Sequence, residues 1–182
     1  MSSPLETLHA AIESCQLCPL AQTRTRAVPG EGPAHPHIML IGEAPGKNED
    51  LQGKPFVGAA GKILNSLLEG AGVRREDVFI TSICKCRPPD NRVPTPLEGS
   101  TCTSNYLSKQ IDLLKPRVIG LMGKTAIKYM LDEEVNLQKM HGQPIKRNGQ
   151  TWMVLYHPAA MIYNQKLKET MIEDFSKMKE WK

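Results

Sequence analysis

The stretch Ile38-Met39-Leu40-Ile41-Gly42-Glu43-Ala44-Pro45-Gly46 decides how the chain is read. Four consecutive apolar residues without polar alternation suit a strand buried on both faces, and the Gly and Pro residues that follow end it in a loop. The runs Val78–Ile83, Val118–Met122 and Trp152–Leu155 have the same character. Helix-compatible stretches lie at Gly61–Gly70, Thr103–Leu114, Thr125–Leu131 and Leu167–Lys179. In the first of these, Ile63, Leu64, Leu67 and Leu68 recur at helical spacing, and Gly70 and Gly72 supply a stop. In the last, Leu167, Met171, Phe175 and Met178 form a core-facing stripe opposite a charged face. Strands separated by helices at this pace predict an α/β fold, a parallel sheet built on the four runs with helices on both faces. In such folds ligands gather at the carboxyl ends of the strands. Gly42–Gly46 follows the first run, Ser82–Arg92 the second and His157–Pro158 the last, so the unusual residues collect on one rim.

A chain of 182 residues is read as one domain, 1–182, large enough for a real core. An apolar fraction of 40% argues against disorder, and 14 Gly with 14 Pro imply many built loops. No run approaches the length of a membrane span, and Met1–Leu17 carries His9 and two glutamates where a secretory signal needs an apolar run. The expectation is a soluble, cytoplasmic protein with no membrane partner. The net charge of +4 is a weak clue. Its distribution says more: Lys85, Arg87 and Arg92 crowd a Pro-rich segment, while Lys139, Lys146 and Arg147 flank a second loop. Such runs are ordinary solvated surface unless they border a nucleotide-handling site.

Five cysteines in a chain read as intracellular favour metal or chemistry over disulfides, and the odd count leaves one spare. Cys15-x-x-Cys18, with Cys86 and Cys102 separated by fifteen residues, could form a four-sulfur site. Thiolate ligation suits zinc or an iron–sulfur cluster, and the spacing does not choose between them. Cys84 stands two residues before Cys86 in an extended segment and is the spare, buried in the sheet.

Gly42-Glu43-Ala44-Pro45-Gly46, then Glu49-Asp50, Gly53-Lys54-Pro55-Phe56-Val57-Gly58 and Ala60-Gly61, resemble the family 4 uracil-DNA glycosylases, the iron–sulfur, thermostable-type branch. The likeness continues through Lys85-Cys86-Arg87-Pro88-Pro89, Asn91-Arg92, Pro94, Glu98 and Cys102 to Tyr156-His157-Pro158-Ala159-Ala160. It also takes in Cys15, Cys18 and Val28-Pro29-Gly30-Glu31-Gly32, so it spans most of the chain in order. The resemblance implies a three-layer uracil-DNA glycosylase-like fold with a central four-stranded parallel sheet between helices. It implies a [4Fe-4S] cluster on Cys15, Cys18, Cys86 and Cys102, built from the N-terminal segment and the 84–102 loop. It also implies a base excision repair enzyme that releases uracil from single- or double-stranded DNA and leaves an abasic site.

An enzyme that acts on a base must take it out of the stack and hold it in a pocket. Phe56 is the expected stacking platform, with Gly42 allowing close backbone approach and Ser82 and His157 also in the uracil-binding set. Glu43 and His157 are the expected catalytic pair: a carboxylate to position water and offset oxocarbenium charge, and an imidazole to donate toward uracil O2. Lys85, Arg87 and Arg92, with Lys47, Lys54 and Lys124, are expected to face DNA phosphates. No lysine is assigned as nucleophile, so hydrolysis without strand cleavage is expected. Family members carry Asn where this chain has Ser82, and a hydroxyl cannot present an amide's paired pattern to uracil N3 and O4. The alternatives are a same-fold glycosylase with broader or shifted specificity for deaminated bases, and a non-catalytic metal-containing DNA-binding module. A monomer is expected, and no motif places a sliding-clamp contact.

Overall fold

The central strand β1 (Ile38–Gly42) is flanked on both sides by parallel partners, β2 (Val78–Ser82) and β3 (Val118–Met122). A computed structural model describes residues 2–132 and 135–181. All three strands are buried along their whole length, as their largely apolar sequences suggest. β5 (Gln150–Leu155) pairs parallel with β3, and β4 (Pro144–Arg147) pairs antiparallel with β5. The sheet is therefore five-stranded and mixed, in the order β2-β1-β3-β5-β4.

That order corrects the expected four-stranded parallel sheet. The extra strand is half of a hairpin whose turn is Asn148-Gly149, with φ of +52° and +76°. Two successive left-handed residues match the twist of adjacent antiparallel strands, which is why Asn-Gly is a strong hairpin signal. β4 escapes a search for apolar runs because only Ile145 in it is even half-buried.

Alternation along the strands divides the core in two. Met39, Ile41, Phe79, Ile119, Leu121, Trp152 and Val154 face one layer, which includes Ile12, Leu107, Leu114 and Ile127. Ile38, Leu40, Val78, Ile80, Val118, Met153 and Leu155 face the other, packed by Leu64, Leu67, Leu68, Met171 and Phe175. The expected helices are present with shifted ends: Ala59–Gly70, Lys124–Leu131 and Lys168–Lys177, and a rod made of Pro96–Cys102, a π-helical turn at Thr103–Leu107, and Ser108–Leu114. A further helix, Pro4–Glu13, starts at a reciprocal cap in which Ser3 and Glu6 satisfy each other's backbone N–H groups. Among the described residues no helix is long and apolar enough to cross a membrane.

Replacing Gly149 with Ala should cost about 1 kcal/mol, because a Cβ is disfavoured at this left-handed position even though nothing crowds it. Urea unfolding measures this, and an unchanged midpoint would refute the turn geometry.

Candidate active site

The carboxyl ends of β1, β2, β3 and β5 open onto one cavity of about 810 Å³. Glu43 and Ala44 line it from β1, Ser82 from β2, Met122 to Thr125 from β3, and His157 from β5. The strand register creates this meeting. Gly42 lies opposite Ser82, and pairing continues past the strand ends through Ile83 N–H to Gly42 O at 2.9 Å and Cys84 N–H to Glu43 O at 3.1 Å. On the other side Gly123 N–H donates to Leu155 O at 2.9 Å, which ties the start of the Lys124–Leu131 helix to the strand that delivers His157.

Phe56 closes the cavity from the loop before Ala59–Gly70. Its backbone is left-handed at φ +51°, an uncommon state for an aromatic residue. Two glycines leave it room: a Cβ on Gly61 would come within 1.9 Å of Phe56 O, and one on Gly42 within 2.7 Å of Phe56 Cζ. The Glu49 carboxylate anchors the loop by accepting from Val57 N–H at 2.9 Å, Gly58 N–H at 2.8 Å and Gly46 N–H at 3.1 Å. Asp50, buried, accepts from Thr25 N–H at 2.9 Å. This pair of carboxylates therefore builds loops.

The Phe56 and His157 rings lie 5.9 Å apart, centroid to centroid, and tilted by 35°. His157 Nδ1 accepts from Ala159 N–H at 3.1 Å, so in the neutral ring the proton sits on Nε2. Burial holds the imidazole pKa below its ordinary value and favours that neutral form. Across the cavity, Thr125 Oγ1 donates to Glu43 Oε2. Glu43, Phe56, Ser82 and His157, proposed from sequence alone, thus line one cavity, with Gly42 beneath Phe56. Thr125 was missed, although Gly123-Lys124-Thr125 follows the third apolar run as Glu43 follows the first.

Sequence similarity decides the family question. Residues 29–178 match the uracil DNA glycosylase superfamily. The chain is 42% identical to the type-4 uracil-DNA glycosylase of Archaeoglobus fulgidus, over 97% of this chain and 92% of that protein. It is 43% identical to the Sulfurisphaera tokodaii type-4 enzyme, over 97% and 84%, and 40% identical to that of Thermotoga maritima, over 96% and 93%. The chain belongs to the type-4 uracil-DNA glycosylases.

Two expectations need correction. Cys15, Cys18, Cys86 and Cys102 line one small cavity together with Ile12, Arg24, Lys85 and Tyr106, so the spacing did bring them to one side of the molecule. Among the described residues, however, no three Cys, His, Asp or Glu side chains come together as a group that could hold a metal ion. The cavity between them measures about 10 Å³, room for about one water. The sulfurs instead accept from neighbours: Arg24 donates to Cys86 Sγ at 3.0 Å and Lys85 N–H to Cys102 Sγ at 3.3 Å. Burial pushes both thiols up, Cys102 to about 11. As placed, these side chains form no metal-holding group, so the structure does not support the expected [4Fe-4S] cluster, and no step below depends on one. Cys84, the expected spare, is buried, and burial raises its thiol strongly.

The second correction concerns Lys85. It is 1% exposed, and its ammonium donates inward to Thr81 Oγ1 at 2.6 Å and Ser82 O at 2.8 Å, so it does not face solvent. Burial lowers its pKa to about 8. Arg87 is half-buried and donates to Asn91 Oδ1 at 2.7 Å. Arg92, more exposed, forms a bidentate pair with buried Glu98 at 2.8 Å for both contacts, which, with hydrogen bonds from Thr95 and against the effect of burial, holds that carboxyl down at about 2. Lys47 and Lys124 are exposed and line the cavity mouth, and Lys54 pairs with Glu31 at 3.6 Å.

Because His157 is held neutral in the folded chain, the unfolded chain takes up the proton first as pH falls through 6.5. Folding stability should therefore decline below that value, and His157→Gln should make the decline shallower between about pH 7 and about pH 5. His9, also lowered by burial, contributes in the same direction to both proteins. Equal pH slopes in urea unfolding would contradict the burial assignment.

Proposed function

We propose that this type-4 family member is a base excision repair glycosylase that hydrolyses the N-glycosidic bond of deoxyuridine in DNA, releasing uracil and leaving an abasic site. The observation that carries this reading is the meeting of Glu43, Phe56 and His157 around one cavity at the strand ends. The relatives' identity over nearly the full chain supports the substrate class.

An extruded uracil stacks on Phe56, whose ring is held by the Gly42 and Gly61 clearances. His157 Nε2 donates a hydrogen bond to uracil O2 as the N1–C1′ bond breaks and negative charge moves into the base. A neutral imidazole is the right donor here, because its hydrogen bond strengthens as the oxygen becomes anionic. The Glu43 carboxylate faces the sugar, offsets the oxocarbenium charge and orients the water that attacks C1′. Thr125 holds one carboxylate oxygen and leaves the other for water. Uracil departs as the N1 anion and water's proton passes to solvent through Glu43. No lysine acts as nucleophile, so the strand stays intact; Lys47 and Lys124 at the mouth, with Arg87 and Arg92 on the neighbouring loop, contact the backbone of a monomerically bound DNA.

Ser82 favours a second reading for the base itself. It lines the pocket at the position where the family resemblance implies an amide, and a hydroxyl reads fewer features of the uracil edge. Weaker uracil discrimination, or acceptance of other deaminated bases, follows from that loss at about 1–3 kcal/mol.

A uracil-containing oligonucleotide, incubated with the protein and then treated with alkali, tests the main reading. The wild type should give scission at the uracil position only after alkali. Glu43→Gln should lower kcat by about 10²–10⁴-fold, and His157→Ala by about 10²–10³-fold. Thr125→Val should lose about 10- to 100-fold, the worth of one hydrogen bond to a charged group, with Thr125→Ser restoring most of it. Absence of product with the wild type, or full activity in His157→Ala, would refute the chemistry. Comparing Ser82 with Ser82→Asn on uracil, hypoxanthine and xanthine substrates tests the second reading, which equal profiles would eliminate.

A further inference from the structure

Lys85 is the anomaly of the described chain. A cation that is 1% exposed has given up its hydration, and its side-chain partners are a hydroxyl, Thr81 Oγ1 at 2.6 Å, and a backbone carbonyl, Ser82 O at 2.8 Å. Neutral oxygens compensate a buried charge less fully than a carboxylate does. An apolar side chain of the same length, such as Met, would fill the space without that cost. Packing alone therefore does not account for an ammonium here.

Its position suggests what does. Ser82 O and Ser82 Oγ belong to one residue, and that residue lines the cavity. The same lysine ties down the surroundings: its carbonyl accepts from the N–H of Val28, another lining residue, at 2.7 Å, and its hydroxyl partner Thr81 donates to Pro29 O at 2.8 Å. One step away, Cys84 N–H holds Glu43 O at 3.1 Å. The ammonium thus sits directly behind the wall of the cavity and pins the pocket residue at which β2 passes into its loop.

We propose that Lys85 is a positioning residue for base recognition, fixing the Ser82 backbone from behind so that the Ser82 hydroxyl is presented to the bound base, and that it makes no contact with DNA. The inference rests on the glycosylase reading of the cavity and deepens it. It reverses the role that the basic segment Lys85–Arg92 suggests from sequence.

The experiment uses full-length protein and free uracil as the probe, read as inhibition of cleavage of a uracil oligonucleotide, with Lys85→Met, Ser82→Ala and the double variant. Lys85→Met should raise the uracil inhibition constant about tenfold in the Ser82 background and less than about twofold in the Ser82→Ala background, because coupled residues are non-additive. Affinity for an abasic product oligonucleotide and its salt dependence should match the wild type, whereas loss of a phosphate contact would weaken binding and flatten the salt slope. Additive effects on uracil inhibition, or a flattened slope, would overturn the proposal. If Lys85→Met does not fold, Thr81→Val, which removes the ammonium's hydroxyl partner, takes its place in the same cycle, and additivity there is equally decisive. A wild type that neither releases uracil nor responds to it would instead overturn the glycosylase reading and this inference with it, whereas active wild type with additive variants overturns this inference alone.

Discussion

β1 is hydrogen-bonded on both edges to parallel strands, and this single constraint organises the rest of the molecule. Parallel pairing sends every strand in the central group the same way, so their exits share one rim. Burial on both faces then requires a helical layer above and below, which the two halves of the core supply. Once the register sets Gly42 opposite Ser82, the residues that follow each strand have nowhere to meet except over the end of β1. The cavity is therefore a by-product of sheet geometry, and the residues placed in it can vary without altering the frame.

Around that frame the loops are held by carboxylates serving as backbone acceptors. Glu49 gathers three N–H groups from two segments, Asp50 secures the Thr25–Arg26 turn, and Glu98 combines a helix cap with the Arg92 pair. Each is buried or half-buried, where such bonds are worth most because water does not compete. Phe56 can stay in a left-handed backbone conformation because Glu49 fixes the two residues after it and glycine clears the space around it.

Much of this was legible in the chain itself. The four buried strands announce themselves as apolar runs, and the rule that ligands gather at strand ends pointed to the segments that carry Glu43, Ser82 and His157, which the structure brings to one cavity. What the runs could not reveal was β4, whose Lys146 and Arg147 are exposed and whose evidence lay in the Asn148-Gly149 turn. Lys85 was misread because a lysine in a basic segment looks solvated, and only three-dimensional packing shows its ammonium turned inward. The cysteines illustrate a subtler limit: spacing told which side of the molecule they share, but not how close their sulfurs come.

The hairpin that lengthens the sheet also decides what backbone the sheet leaves at its margin. An open sheet offers unpaired backbone at both margins, and buried apolar strands there invite edge-to-edge association. On one margin β4 exposes Lys146 and Arg147, so a neighbouring strand would meet two side chains of like charge. On the other, Glu31 exchanges both backbone hydrogen bonds with Ile80 of β2, covering that strand with a piece of loop. The strands that build the pocket are thereby insulated from strand addition, and the sheet ends within the molecule.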